Sequence, residues 1–327
     1  MKVKLKNMQL RMGLIGLCTV AMVFGLTTGS VMAQEEKAAV EKLTPEEQKE
    51  CNECEKKTAD KKLPPHLRPP PSKAPANAKA PNLAAAATNP IAAMVQFQLQ
   101  NTYSPENYNS SGYSNVTTVQ AVAPIPLPWK SVPMLITRST LPWVTTPELG
   151  PVHRHRGFGD FEMLLLAIPK LKTKGVQLGM GINTSWPTAG DNVFTGSGKY
   201  EAGPSALYIN MRTPHLQWGL FVHQLWNYAS SNNGSDRGNV SKLAIQPILT
   251  YHFGKGWYVQ SPESPQAYNF NTEEWSLNLG PVIGKVTKIG KLPVKLFAAA
   301  YYNPTDPDDA PASKYTVKFN ITFLFPE

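Results

Sequence analysis

Six ionisable side chains, Arg138, Glu162, Lys242, His252, Lys295 and Lys318, alternate with largely apolar neighbours in strand-like runs. In an extended chain that spacing turns the polar set to one face. Such side chains can pair with each other or meet a solute in an enclosed lumen, so the six are the candidate lumen-lining residues. Bond-breaking chemistry asks for more: a nucleophile and a base within hydrogen-bond reach, with a third group orienting the base. His223 and His252 fall within runs, and Ser205 and Ser276 in neighbouring ones, but no His-x-Ser pair marks the mouth of a strand. A lipid hydrolase is therefore a rival reading without its constellation, and no catalytic residue is assigned. His153 and His155, separated by Arg154, would point the same way from an extended segment. Two imidazoles fall short of the three or four ligands of a transition-metal site. The local reading is a solvated basic loop touching lipopolysaccharide or a ligand. Cys51 and Cys54 have C-x-x-C spacing without a βαβ context, a following His or a second pair. They read as a local disulfide or two thiols, a site shared between two chains being the alternative. No cofactor and no metal is implied.

Runs of alternating polarity must position these groups. Val95, Phe97 and Leu99 alternate with Gln96, Gln98 and Gln100, and Val317, Phe319, Ile321 and Phe323 alternate with Lys318, Asn320 and Thr322. Twelve such runs fill residues 91–327. The gaps between them predict an alternation of long and short. Long gaps fall at 103–115, 145–160, 187–198, 229–239, 261–272 and 304–313, and short ones at 128–131, 171–175, 213–214, 254–256 and 286–290. The short gaps carry Lys130, Lys172, Lys174, Lys255 and Lys288 and no acid. The long ones hold Glu106, Glu148, Asp160, Asp191, Asp236, Glu263, Asp306, Asp308 and Asp309. Two ends of unlike loop length and charge, an even strand number and runs near the ~9–11 residues of a tilted membrane strand predict a transmembrane barrel. Trp129, Trp143, Trp186, Trp226, Trp257 and Trp275 sit near run ends, where interfacial girdles lie. Periodicity alone would equally suit a soluble sandwich.

Residues 1–33 read as a signal peptide: a basic start, an apolar core over 12–26 and a small-residue site at Val31-Met32-Ala33. Cys18 lacks a lipobox. Removing Lys2, Lys4, Lys6 and Arg11 lowers the formal charge from +9 to +5, spread too thinly for a nucleic-acid face. Residues 34–62 predict a charged, solvated periplasmic helix capped at Thr44. Residues 63–90, rich in Pro and Ala, predict an extended tether or spacer. No stretch is long and apolar enough for a membrane helix.

The stretches Gln96-Phe97-Gln98-Leu99-Gln100-Asn101-Thr102-Tyr103, Gly157-Phe158-Gly159-Asp160 and Tyr200-Glu201-Ala202-Gly203-Pro204 occur in an order that resembles a bacterial family. So do Gln246-Pro247, Glu274-Trp275, Gly290-Lys291-Leu292-Pro293-Val294 and Phe323-Leu324-Phe325-Pro326. The family is that of the outer-membrane transporters grouped with the meta-pathway phenol-degradation proteins, and the resemblance covers residues 91–327. It implies a barrel passing small, aromatic molecules and supplies no catalytic motif. The expectation is a twelve-stranded antiparallel outer-membrane β-barrel with a helical or disordered N-terminal tail in the periplasm. It would work as a passive channel for a small hydrophobic or aromatic solute. The rival class is an anchoring barrel whose tail binds a periplasmic partner. Outer-membrane lipid, lipopolysaccharide and the barrel-assembly machinery are the other expected partners, with no nucleic acid.

Overall fold

A computed structural model describes residues 83–189, 194–231, 238–307 and 311–325. Its strands are β1 (Val95–Tyr108), β2 (Ser114–Pro126), β3 (Met134–Thr145), β4 (Arg156–Phe158), β5 (Phe161–Ile168), β6 (Val176–Trp186), β7 (Lys199–Thr213) and β8 (Leu216–Ser230). They continue with β9 (Ser241–Gly254), β10 (Trp257–Gln260), β11 (Gln266–Asn269), β12 (Glu274–Ser276), β13 (Val282–Ile289), β14 (Leu292–Tyr302) and β15 (Ala312–Phe325). Three wall positions are built from two pieces each: β4 with β5, β10 with β11 and β12 with β13. The fifteen segments therefore close as twelve antiparallel strands. Closure runs through β15 on β1, with Val95 opposite Phe325, and through β10 between β9 and β13. Full closure removes the exposed edges that an open sheet would present.

Period-two alternation sorts the wall into two faces. Outward, Phe97, Leu99, Met180, Ile182, Leu220, Leu249, Ile283 and Phe319 are exposed. Trp143, Trp186, Trp226, Tyr228 and Tyr302 are exposed towards one rim, and Trp129, Trp218 and Trp257 towards the other. Such a continuous apolar belt far exceeds what a water-soluble monomer leaves bare. Between two aromatic girdles it is the lipid face of a transmembrane barrel.

The expected lengths of the connections need correction. β1 pairs with β15 through Asn107 and Tyr108, past a bulge, and the first loop shrinks to 109–113. Glu106 is therefore a strand residue, its Oε1 taking a bond from Lys314 Nζ at 2.7 Å. Residues 261–272 are not one loop either, since β11 lies inside them and its turn to β12 is only 270–273. At the opposite rim the turns 127–133 and 169–175 are longer than expected. Strict alternation of loop length is lost, because hairpin ends extend wherever pairing partners continue. Lys199, Lys242 and Lys314 lie towards one rim, while the turn lysines Lys130, Lys172, Lys174, Lys255 and Lys288 do gather at the other. The tight turn there at 255–256 follows Gly254, and Gly254, Lys255 and Gly256 all adopt positive φ, as two-residue hairpins require.

The Pro/Ala-rich segment expected to be extended over 63–90 ends differently. Leu83–Thr88 form a helix, α1, inside the barrel at the lysine-rich rim. Ala is the strongest helix former, and its small side chain suits the confined lumen. Pro90 disfavours helix at Asn89 and ends the element. Ala84, Ala87, Ala92 and Met94 pack against Tyr258, Val282, Val286, Phe297, Ala299, Tyr301 and Leu324. Tyr258 fits there because β13 carries Gly284, whose missing Cβ would lie 2.3 Å from the phenol ring. The expected signal peptide, the 34–62 helix, the Cys51–Cys54 pair and residues 63–82 lie outside the described residues. So do the loop acids Asp191, Asp236, Asp308 and Asp309.

Candidate functional site in the barrel lumen

Above α1 the barrel encloses a cavity of about 150 Å³ with two unlike walls. Inward positions of β2, β3, β5, β7, β8 and β9 supply Val122, Ile136, Leu164, Leu166, Leu207, Phe221 and Ile248, all buried in one cluster with Ile91. Register brings them together: Arg138 faces Leu164, Leu207 faces Phe221, and Gly219 faces Ile248. Facing them, β1, β10, β14 and β15 supply Gln96, Gln98, Gln100, Gln260, Lys295 and Lys318. Asn320 Nδ2 donates to Gln98 Oε1 at 3.4 Å, and Thr322 Oγ1 to Asn320 Oδ1 at 2.8 Å. These bonds hold the polar wall in shape.

Negative charge enters that wall through a break in the sheet. Between Gln260 and Gln266 the strand leaves its ladder, and opposite it β12 and β13 are separated by 277–281. Pro262 and Pro265 lack N–H donors, so pairing cannot continue through them. The freed edge is patched by Gln266 and Asn278, the Asn278 N–H donating to Gln266 Oε1 at 2.6 Å and Gln266 Nε2 donating to the Asn278 carbonyl at 3.1 Å. The excursion carries Glu263 into the cavity, where its Oε1 lies 3.5 Å from Lys295 Nζ. Ser264 Oγ accepts from Lys318 Nζ at 3.1 Å. Glu263 was expected in an outer loop. Its signal in the sequence is the Ser-Pro-Glu-Ser-Pro run, an acid between two ladder-breaking prolines.

Of the six sequence-derived candidates, Arg138, Lys295 and Lys318 meet at this cavity. The Arg138 guanidinium lies 5.6 Å from the centroid of the Phe221 ring. His252 sits below them, at the plug. Its Nε2 is 3.3 Å from Thr88 Oγ1, which also lies 3.0 Å from Gln217 Oε1. Gln217 Nε2 donates to the Ala85 carbonyl at 2.7 Å, and Asn89 Nδ2 to Gln177 Oε1 at 2.7 Å. Glu162 and Lys242 belong to a separate group towards the other rim, where the fields of both reach Glu201. Lys242 is exposed at that mouth. Asp160 braces the same mouth, accepting from Ser197 Oγ at 2.9 Å and Ala189 N at 3.2 Å.

Among the described residues Ser205 and His223 do not form a hydrogen-bonded pair. Register sets Ser205 opposite His223, yet Ser205 Oγ and His223 Nδ1 are both buried without a hydrogen-bond partner. The basic loop engages its neighbours, with Arg154 over Tyr113 at 4.0 Å and 3.6 Å from Glu148, and His155 stacked on Phe194 at 3.9 Å.

No family model matches the chain, and no curated protein matches it. Among solved structures the chain is similar to the COG4313 outer membrane channel from Pseudomonas putida F1. The two share 13% identity with a TM-score of 0.53 over 71% of this chain and 94% of that one. A NanC porin gives 11% identity and a TM-score of 0.46 over 71% of this chain and 100% of that one. The outer membrane phospholipase A from Escherichia coli gives 15% and 0.39 over 73% and 93%. The first likeness establishes the outer-membrane barrel fold.

Proposed function

We propose that this chain is an outer-membrane channel for passive passage of a small solute with an apolar or aromatic body. The lysine-rich rim and α1 lie on the periplasmic side and the acidic loops outside. The observation that carries this reading is the two-walled cavity on the barrel axis, stopped at one rim by residues 83–94. A barrel serving only as an anchor has no use for a shaped cavity in which apolar and charged side chains face each other. The resemblance to the meta-pathway transporter group favours an aromatic solute.

In this arrangement the plug closes the path, and passage needs its displacement. Polar bonds from Gln217, Gln177 and His252 hold it together with the apolar packing of Ala84, Ala87, Ile91 and Met94, so displacement has to break both. Joining residues 88 and 217 through Thr88→Cys and Gln217→Cys with a short reducible cross-linker tests this in planar bilayers. Conductance is expected to fall on locking, to return on reduction, and to rise several-fold when residues 83–94 are deleted. Conductance at the lipid background in every form would refute the channel. Orientation is read separately on whole cells: Glu148→Cys reacts with an impermeant thiol reagent and Lys172→Cys does not.

A further inference from the structure

Four ionisable side chains line the cavity: Arg138, Lys295, Lys318 and Glu263. Glu263 is committed to Lys295 at 3.5 Å. Lys318 is buried, donates to the neutral Ser264 hydroxyl and has no carboxylate at ion-pair distance among the described residues. The Arg138 Nε is buried with no acceptor. The fields of Glu162 and Glu263 reach Arg138, yet no hydrogen bond or ion pair to either is formed among the described residues. A guanidinium stays charged in any protein setting. The cavity thus holds a guanidinium and a lysine amine that both feel the field of Glu263 but have no carboxylate at contact distance among the described residues, beside a wall of Leu164, Leu166 and Phe221.

We propose that this cavity binds a small amphiphilic carboxylate, its carboxylate taken by Arg138 and Lys318 and its ring or short chain laid on the Leu164, Leu166 and Phe221 wall. The inference rests on the lumen being the solute path and narrows the solute to an organic monoanion. Size agrees: a cavity of about 150 Å³ walled by Leu, Ile and Phe accepts benzene. A planar guanidinium matches a carboxylate through two parallel hydrogen bonds. A neutral phenol would leave both cations unanswered, and an inorganic anion would leave the apolar wall unfilled.

Titration calorimetry on the refolded full chain in detergent separates these ligands, using benzoate, benzyl alcohol, acetate and dodecanoate. Benzoate is expected to bind at least tenfold tighter than benzyl alcohol or acetate. Arg138→Gln and Lys318→Gln should each weaken benzoate about tenfold and leave benzyl alcohol unchanged. Equal affinity for benzoate and benzyl alcohol, or for benzoate and acetate, would overturn the site. Dodecanoate binding tightly where benzoate does not would replace it with a lipid-derived acid. The ranking on the unaltered chain needs no variant, so it decides even where a substitution prevents folding. Flux of the same solutes into liposomes is scored apart. Binding without flux sinks the channel and leaves the site, while flux without the benzoate preference sinks the site and leaves the channel.

Discussion

The two walls of the lumen cavity are made from the same element, yet they differ in what they contribute. The wall from β3, β5, β7, β8 and β9 points aliphatic and aromatic side chains inward and packs them with Ile91 of the plug segment. Facing it, β1, β10, β14 and β15 point glutamines, Asn320, Lys295 and Lys318 inward and hold them by side-chain hydrogen bonds. Burial of apolar area is worth roughly 25 cal/mol per Å², whereas a typical internal hydrogen bond nets about 1 kcal/mol. Stability should therefore concentrate on the first wall, and selectivity on the second together with Arg138 of β3. A barrel can be asymmetric in this way because its wall is closed by backbone pairing all round, which leaves inward side chains free to differ.

The largest expected effect is on the apolar wall. Leu166 is 2% exposed, and Leu166→Ala should cost about 2–5 kcal/mol, read as a lower urea midpoint of the heat-modifiable folded form. Gln98→Leu on the polar wall should shift that midpoint far less. If the two move it equally, the division of labour between the walls is wrong.

Next comes the contrast between inside and outside on one strand. Ile321 faces lipid and its neighbour Asn320 faces the lumen. Ile321→Arg should cost about 2–4 kcal/mol near the midplane and lower the folded yield. Asn320→Arg should assemble and shift ion preference towards anions. Equal tolerance would contradict the membrane placement.

A smaller loss is expected within the polar wall. Glu263→Gln leaves Lys295 without its carboxylate and should cost about 1–3 kcal/mol, while raising anion selectivity in bilayer recordings. An unchanged reversal potential would mean that the Glu263–Lys295 pair lies off the conducting path. The smallest effect is at the rim, where Glu106→Gln should leave the unfolding midpoint unchanged, since exposed pairs add little.

Much of the wall was legible from spacing. The alternation over 317–323 puts Lys318 and Asn320 inward, as observed, because a period of two admits only two faces. Arg138, Lys295 and Lys318 were legible as inward residues for the same reason. Their convergence on one cavity was not, since it depends on how β3, β14 and β15 are brought round the closed ring. Depth along the barrel axis is the harder quantity: the polar, proline-rich run 261–272 predicts a loop acid at Glu263, whereas the fold carries it into the lumen. Proline marks where pairing stops, and it leaves open whether the freed chain turns out to solvent or in to the lumen.

Strand number, the two faces, the gathering of the turn lysines at one rim and the aromatic girdles were determined by the sequence itself, since each follows from local alternation and composition. The helix of residues 83–88 within the barrel, the Glu263–Lys295 pair and the two unlike walls were decided by the tertiary structure alone. Each joins residues far apart in the chain, Thr88 with Gln217 and His252, and Glu263 with Lys295. Such contacts exist only once the barrel has closed and set which inward side chains share a level.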